Sequence, residues 1–153
     1  MTRHMAILLA AGGSAGLILA ALGFQYIGEM PPCKLCYWQR YGHFAAIAAG
    51  IVALFALSRV MAVLGGLAAL SSAIVGGYHT GVERGWWEGP STCTSGSISG
   101  LSTDELLNQI MAAPLVRCDE VPWEMFGLSM ASWNMLAALG LAAIWAYAAT
   151  RKA

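Results

Sequence analysis

The chain has 153 residues, of which 58% are hydrophobic and only 10% are charged. Ordinary soluble domains are about a quarter charged, so this composition predicts a surface that faces lipid. The 8 basic and 8 acidic residues cancel, which excludes the strongly basic character that marks nucleic-acid-binding domains. The length fits one domain, residues 1–153, and we predict an all-α integral membrane protein with lipid contacts and no nucleic-acid partner.

Four long apolar stretches predict four transmembrane helices. A bilayer core needs about 20 mostly apolar residues per helix, and residues 5–27, 41–57, 60–78 and 128–149 meet this requirement. The first stretch resembles a cleaved signal peptide, but its apolar run exceeds the usual length of about 7–15 residues. We therefore expect a four-helix bundle in which a tight turn at Ser58-Arg59 joins the second and third spans.

The basic residues predict the orientation of these spans. Four spans put both termini and the Ser58-Arg59 turn on one side, which carries only basic charges: Arg3, Arg59, Arg151 and Lys152. Basic residues close to the span ends favour the cytoplasm. We expect cytoplasmic termini and two loops outside, a short one at residues 28–40 and a long one at residues 81–127.

The long outer loop contains one further predicted helix. Ser102 and Glu105 fit a capping box, in which each side chain bonds the backbone N–H of the other residue. Apolar residues then recur at helical spacing until Pro114. We predict a helix at about residues 103–113, either packed on the loop itself or, as we favour, lying in the membrane interface with its apolar face down.

All four cysteines, Cys33, Cys36, Cys93 and Cys118, lie in the two outer loops. An extracytoplasmic compartment permits disulfides, so the alternatives are structural disulfides, a zinc site and an exchanging redox relay. Structural zinc sites usually draw on two close-spaced ligand pairs, whereas Cys93 and Cys118 lie far apart in the sequence. His79 can substitute as a ligand, but its place at the end of the third span shows no metal-ligand spacing, and we expect no metal.

The two cysteine pairs differ in what a disulfide would achieve. A Cys93–Cys118 bond would close a long loop, whereas linking Cys33 to Cys36 removes little chain entropy. A C-x-x-C pair is instead an arrangement in which dithiol and disulfide interconvert readily. Cys36 is expected close to the start of the second helix, with Arg40 one turn further on.

A helix N-terminus and a guanidinium both favour a thiolate. We therefore predict that Cys36 is the sulfur with the lowered pKa and that Arg40 is its electrostatic partner. The alternative for Arg40 is an anchor at the lipid headgroups.

Several segments resemble the DsbB family, the quinone-linked disulfide-forming proteins of the bacterial inner membrane. Residues 32–40, Pro-Cys-Lys-Leu-Cys-Tyr-Trp-Gln-Arg, resemble the family motif P-C-x-L-C-x-x-Q-R. Residues 78–83 resemble the end of the family's third span, and residues 117–119 and 123–134 resemble the approach to its fourth. The predicted number of spans and of cysteine pairs matches too, so the resemblance covers nearly the whole chain.

The resemblance implies a redox relay between a soluble protein and the membrane. The family oxidises a periplasmic thioredoxin-like partner of the DsbA type and passes the electrons to quinone, either ubiquinone or menaquinone. For this chain, it implies that the partner attacks the Cys93–Cys118 disulfide at Cys93 and forms a transient mixed disulfide. Exchange with the Cys33–Cys36 pair then moves the electrons toward the quinone.

At the quinone, the resemblance implies a role for three residues. Cys36 would face the quinone, Arg40 would stabilise the negative charge, and His79 would contact a quinone oxygen, unless it only caps the third span. Two other functions stay open. One is a quinone reductase of the vitamin K epoxide reductase type, whose C-x-x-C is expected at its last helices. The other is a non-catalytic membrane module with a disulfide-stapled loop. The chain carries no flavin, nicotinamide or haem motif.

Overall fold

The computed structural model describes residues 1–56, 58–94, 100–112 and 116–151. These residues form five helices and two short strands: α1 (Arg3–Tyr26), α2 (Lys34–Ala56), α3 (Arg59–Glu83), α4 (Thr103–Ala112), β1 (Glu124–Met125), β2 (Leu128–Ser129) and α5 (Met130–Thr150). The four long helices pack as a ring, in which α1 and α3 each contact both α2 and α5. The predicted helical bundle is therefore present.

Among the described residues, three helices are long and apolar enough to cross a membrane: α1, α3 and α5. The remaining long helix, α2, has 23 residues, but Gln39, Arg40 and His43 make its first half more polar. Large apolar side chains such as Leu19 and Phe55 are exposed on the outside of the bundle. A surface of this kind suits lipid rather than water.

The second helix begins well before the predicted span at about residue 41. Pro31 and Pro32 disfavour a helix up to Cys33, and the Sγ of Cys33 accepts the backbone N–H of Cys36 at 3.4 Å. Cys33 thus takes the N-cap position of α2. The span prediction counted apolar residues, whereas the backbone hydrogen bonds continue through the polar turns. Similarly, α3 continues to Glu83 rather than ending near residue 78.

The last helix begins at Met130 rather than at residue 128, because a tight hairpin precedes it. Strands β1 and β2 pair antiparallel across Phe126 and Gly127, whose φ angles are 53° and 73°. Two positive φ angles match the type I′ turn, which suits the twist of paired strands. The side chain of Ser129 then caps α5 by accepting the backbone N–H of Ser132.

The predicted capping box in the long loop is confirmed. The backbone N–H of Ser102 donates to Glu105 Oε2 at 2.8 Å, and that of Glu105 donates to Ser102 Oγ at 3.4 Å. Helix α4 follows, and its apolar residues Leu107, Ile110 and Met111 are 58%, 61% and 80% exposed. More than half of each of these side chains is therefore left uncovered, so they are not buried in a core of the loop. The location of α4 in the membrane interface stays a prediction, and its predicted stop at Pro114 lies outside the described residues.

Candidate redox site

The four cysteines meet at one end of the bundle. Cys93 and Cys118 form a disulfide, whereas Cys33 and Cys36 are free thiols whose sulfur atoms lie 3.2 Å apart. Cys33, Cys93 and Cys118 are buried in one cluster, and Cys36 packs against it. A disulfide and a dithiol are thus buried side by side.

The first part of the long loop is fixed to the end of α3 by an aromatic contact. Trp87 stacks on Tyr78 with ring centroids 6.1 Å apart, and its indole N–H donates to the Tyr78 carbonyl at 2.9 Å. Gly81 is required here, since a Cβ would lie 2.0 Å from the Trp87 ring. Further on, the backbone N–H of Cys118 donates to the Cys93 carbonyl at 2.7 Å. These contacts hold the disulfide over the helix ends.

His79 lies between the two cysteine pairs. Its Nε2 is 3.1 Å from the Cys118 carbonyl, 3.6 Å from Cys33 Sγ and 3.7 Å from Glu83 Oε1. On the other side of the ring, Nδ1 lies 2.9 Å from the amide nitrogen of Gln39. With that amide donating to Nδ1, the ring proton is on Nε2 and points to the Cys118 carbonyl. His79 is a buried link between the pairs rather than an exposed cap of α3.

The structure assigns the lowered thiol pKa to Cys33. The largest cause is the hydrogen bond with the thiol of Cys36; burial opposes it, and the hydrogen bond and charge of His79 add to it, so that the pKa of Cys33 lies well below its usual value. The prediction that Cys36 has this property is corrected. Because α2 begins at Lys34, Cys33 is the residue that receives a backbone N–H at the helix N-terminus.

Arg40 joins α2 to the end of α1. Its guanidinium donates to Gln25 Oε1 at 2.6 Å and to the Ala21 carbonyl at 3.3 Å. The same group lies 5.4 Å from the centre of the Tyr37 ring. These contacts orient the guanidinium and leave it on the wall of the cavity described next.

A cavity of about 340 Å³ lies beside the dithiol. The three residues predicted to contact a quinone, Cys36, Arg40 and His79, all line it, as does Cys33. Apolar side chains form much of the remaining wall, among them Leu17, Ile18, Phe24, Met30 and Val121. The cavity thus combines an apolar wall with two thiols, a guanidinium and an imidazole. Cys93 and Cys118 are not among its lining residues.

Several buried polar residues of the site were missed from the sequence. His43 Nδ1 lies 3.2 Å from Ser14 Oγ, and His43 Nε2 lies 2.9 Å from Asn134 Oδ1, whose amide nitrogen donates to Ser72 Oγ at 3.1 Å. This hydrogen-bonded network contains one residue from each of the four long helices. The sequence carried a signal, since polar residues within an apolar helix usually face the bundle interior.

The comparisons with known proteins agree with this geometry. The family model "Disulfide bond formation protein DsbB" matches residues 3–148. Disulfide bond formation protein B of Methylococcus capsulatus is 34% identical over 137 residues, which cover 84% of this chain and 83% of the relative. That of Shewanella sp. (strain MR-4) is 30% identical over 139 residues, covering 87% of this chain and 79% of the relative. No solved structure matches. The chain belongs to the DsbB family of bacterial inner-membrane proteins for disulfide bond formation.

Proposed function

We propose that this protein reoxidises a periplasmic thioredoxin-like partner of the DsbA type and passes the electrons to membrane quinone. One observation carries the proposal: a disulfide and a dithiol share one buried cluster, and only the dithiol borders the cavity. Thiol–disulfide exchange requires a thiolate to reach a disulfide sulfur. The arrangement therefore supports a path from the partner through Cys93–Cys118 and Cys33–Cys36 to the quinone.

In the first step, a thiolate of the partner attacks Cys93 and breaks the Cys93–Cys118 bond. The partner's second thiol then attacks the mixed disulfide. The partner leaves with its own disulfide formed, and Cys93 and Cys118 remain as two thiols. Because Cys93 is 1% exposed and Cys118 is fully buried, the loop has to open before the partner can react. Such opening would break the hydrogen bond from Lys34 Nζ to Thr92 Oγ1, which joins the start of α2 to the long loop at 2.9 Å.

In the second step, the reduced Cys93–Cys118 pair attacks a Cys33–Cys36 disulfide. The exchange restores the Cys93–Cys118 disulfide and leaves two thiols at Cys33 and Cys36, which is the redox state of this structure. The α2 N-terminus and His79 stabilise the Cys33 thiolate, and a stabilised thiolate favours this dithiol product.

The cavity suits a quinone ring in size and chemistry. Its volume of about 340 Å³ falls in the usual range for small-molecule sites, and Arg40, with five N–H groups, offers donors for a carbonyl oxygen. His79 would donate to a quinone oxygen only after its Nε2–H releases the Cys118 carbonyl. When bound, ubiquinone or menaquinone accepts two electrons and two protons from the dithiol, which yields the quinol and a Cys33–Cys36 disulfide. An oxidising acceptor is required because the potential of DsbA itself is about −120 mV.

The proposal includes the arrangement in the membrane. We assign the fourth span to α2, whose polar first half faces the interior of the bundle through Gln39 and His43. The basic residues at the other end, among them Arg59 and Arg151, favour cytoplasmic termini. The cysteines then lie at the periplasmic end, where disulfide exchange takes place.

Turnover by the purified protein tests the relay. The protein is mixed with a reduced DsbA-type dithiol and a soluble ubiquinone analogue, and the quinone absorbance is followed. We expect quinone reduction by the parent and background rates for both Cys33→Ala and Cys93→Ala. Activity that survives only in Cys93→Ala would make the second pair structural, as in a reductase with one active pair. No turnover with intact cysteines would instead favour a disulfide-stapled module.

Trapping of the mixed disulfide tests which sulfur meets the partner. The partner is used with its second cysteine replaced by serine, so its remaining thiolate breaks the Cys93–Cys118 bond, Cys118 leaves as a thiol, and the partner has no second thiol with which to release itself. A covalent complex should therefore accumulate on a non-reducing gel. Peptide mapping should place the bond at Cys93, and a matched Cys93→Ser variant should form no such complex. A partner attached to Cys33 or Cys36 instead would contradict the proposed order of the pairs.

A further inference from the structure

A second chemistry is possible at the dithiol. Among the described residues, Cys33, Cys36 and His79 form a group in which the two sulfur atoms and one ring nitrogen lie within 4.8 Å of one another. The zinc site weighed from the sequence used Cys93 and Cys118 as ligands. Those two cysteines are bonded to each other, and His79 takes their place beside the C-x-x-C pair.

Two of the three distances between the ligand atoms can be compared with those of a tetrahedral zinc site, and the third, from Cys36 Sγ to the His79 ring, is at most 4.8 Å. Zinc–sulfur bonds of about 2.3 Å and zinc–nitrogen bonds of about 2.0–2.1 Å place sulfur and nitrogen about 3.6 Å apart. Cys33 Sγ and His79 Nε2 are 3.6 Å apart. Two zinc-bound sulfurs lie about 3.8 Å apart, so the 3.2 Å between Cys33 and Cys36 has to widen by roughly half an ångström, which side-chain rotation permits.

The surroundings supply an open position. All three ligand residues line the cavity of about 340 Å³, so an ion can enter from that side and keep a water molecule as its fourth ligand. Two thiolates and a neutral imidazole around a divalent ion give a site without net charge. Such a site is tolerated in a buried environment, where an isolated charge is costly.

Gln39 determines the proton position that binding requires. An ion on His79 Nε2 displaces the proton to Nδ1, which then has to donate a hydrogen bond. Gln39, whose amide nitrogen lies 2.9 Å from Nδ1, can accept this bond after its amide turns round and presents Oε1. The amide then gives up its 3.3 Å hydrogen bond to the Leu35 carbonyl.

We propose that the reduced protein binds one zinc-class divalent ion, Zn²⁺ or Cd²⁺, through Cys33, Cys36 and His79. Binding converts two thiols and the ion into a bis-thiolate complex and releases two protons, without any change of oxidation state. The oxidised pair has no thiolate to offer, so the site exists only in the reduced state. A bound ion holds both thiols in place and blocks their reoxidation, a consequence that rests on the proposed function.

Metal binding is measured in a Cys93→Ser/Cys118→Ser variant in detergent, where Cys33 and Cys36 are the only cysteines of the four. After reduction with a phosphine, Cd²⁺ is added and thiolate-to-metal absorbance is recorded, with Zn²⁺ competition giving its affinity. We expect one ion per chain, and His79→Ala in this background should weaken binding by at least ~10-fold. A matched His43→Ala change removes another cavity-lining histidine and should leave the affinity unaltered.

The position of Gln39 gives an independent test. Gln39→Glu places a carboxylate against Nδ1–H and should tighten Zn²⁺ binding, whereas Gln39→Leu should weaken it by about 10-fold. If the double serine variant does not fold, the parent is used with its Cys93–Cys118 bond verified by mass spectrometry, and Zn²⁺ should slow alkylation of Cys33 and Cys36. Binding that is equal in the parent and His79→Ala, or no binding at all, would overturn this site whether or not the protein reduces quinone.

Discussion

The two ends of the bundle are packed by different means. At the end that holds both termini, here called the terminal half, small residues of all four long helices surround the fully buried Trp145. At the other end, the cysteine half, buried polar side chains such as Gln39, His43 and His79 line a cavity. Close contacts between small residues give a membrane bundle its stability, whereas buried polar groups mark sites of chemistry. Changes in the first half should therefore affect stability, and changes in the second should affect turnover.

The largest expected effect is on the dithiol of the cysteine half. Cys36→Ser removes one of the two thiols that deliver electrons to the quinone in the proposed function, so quinone reduction should fall to background, a loss on the order of 10³-fold or more. The serine hydroxyl is similar in size and keeps a donor near Cys33, so the melting temperature should change little. Thermal unfolding and quinone absorbance are measured on the same sample. Partial turnover above background would show that Cys36 is not essential to the relay.

The next largest effect is expected for Arg40, the positive charge on the cavity wall. Arg40→Ala removes a donor that would hold a quinone oxygen, and a hydrogen bond to a charged group is worth about 1.5–3 kcal/mol. The KM for quinone should rise by roughly 10-fold or more, with a smaller change in kcat. Arg59→Ala, an arginine at the start of α3 in the terminal half, serves as the control. Equal KM values for the two variants would show that Arg40 only joins α2 to α1.

In the terminal half, the expected effect is on stability alone. A Cβ at Gly65 would lie 2.7 Å from the Trp145 ring, and a fully buried indole has little room to shift, so Gly65→Ala should cost about 1–3 kcal/mol. Gly140→Ala is the matched control, since nothing lies within 4 Å of its added Cβ. Thermal unfolding in detergent should separate the two variants, while turnover at 25 °C should be equal to the parent's in both. A slower Gly65→Ala would show that the halves are coupled.

The sequence predicts local features of the chain better than the arrangement of the cysteine half, for a physical reason. Long apolar runs and a local capping box depend on residues close together in the chain, and both the helices and the Ser102 cap were predicted. The start of α2 was missed because the Cys33 cap extends a helix beyond its apolar stretch. The same local shift makes Cys33, rather than Cys36, the cysteine at the N-cap that accepts a backbone N–H.

Contacts between helices were harder to predict than the helices. The sequence placed Cys36, Arg40 and His79 near one ligand only through a family resemblance, and the structure brings all three to one cavity. It gave no sign that Gln39 bonds His79 from 40 positions away. Such pairs depend on the rotation and packing of α2 against α3, which hydrophobic periodicity does not fix to the accuracy of a hydrogen bond.

The smallest expected effect concerns the rate at which Cys33 is alkylated, which should not depend on pH near neutrality. The thiolate is the reactive form, and because the pKa of Cys33 lies well below its usual value, the thiolate persists at neutral pH and is lost only as the pH falls through that lowered pKa. The test uses a Cys36→Ser/Cys93→Ser/Cys118→Ser variant, in which the serine hydroxyl at position 36 can replace the thiol donor of Cys36. Its rate of Cys33 alkylation should be nearly constant between about pH 6 and pH 8. A thiol with the usual pKa would be alkylated roughly 80-fold faster at pH 8 than at pH 6.

A matched variant separates the hydrogen bond from the position in the fold. With Cys36→Ala instead of serine, the donor that lowers the pKa most is gone, while the N-cap position and His79 remain. Alkylation, followed by mass spectrometry with a metal chelator present, should then rise with pH as the pKa moves toward the usual value. Flat profiles in both variants would assign the effect to the helix N-terminus and His79. If the alkylation rate rises steeply with pH in both variants, the cysteine half does not stabilise a thiolate. The cavity would then be the one feature that distinguishes its chemistry from that of the terminal half.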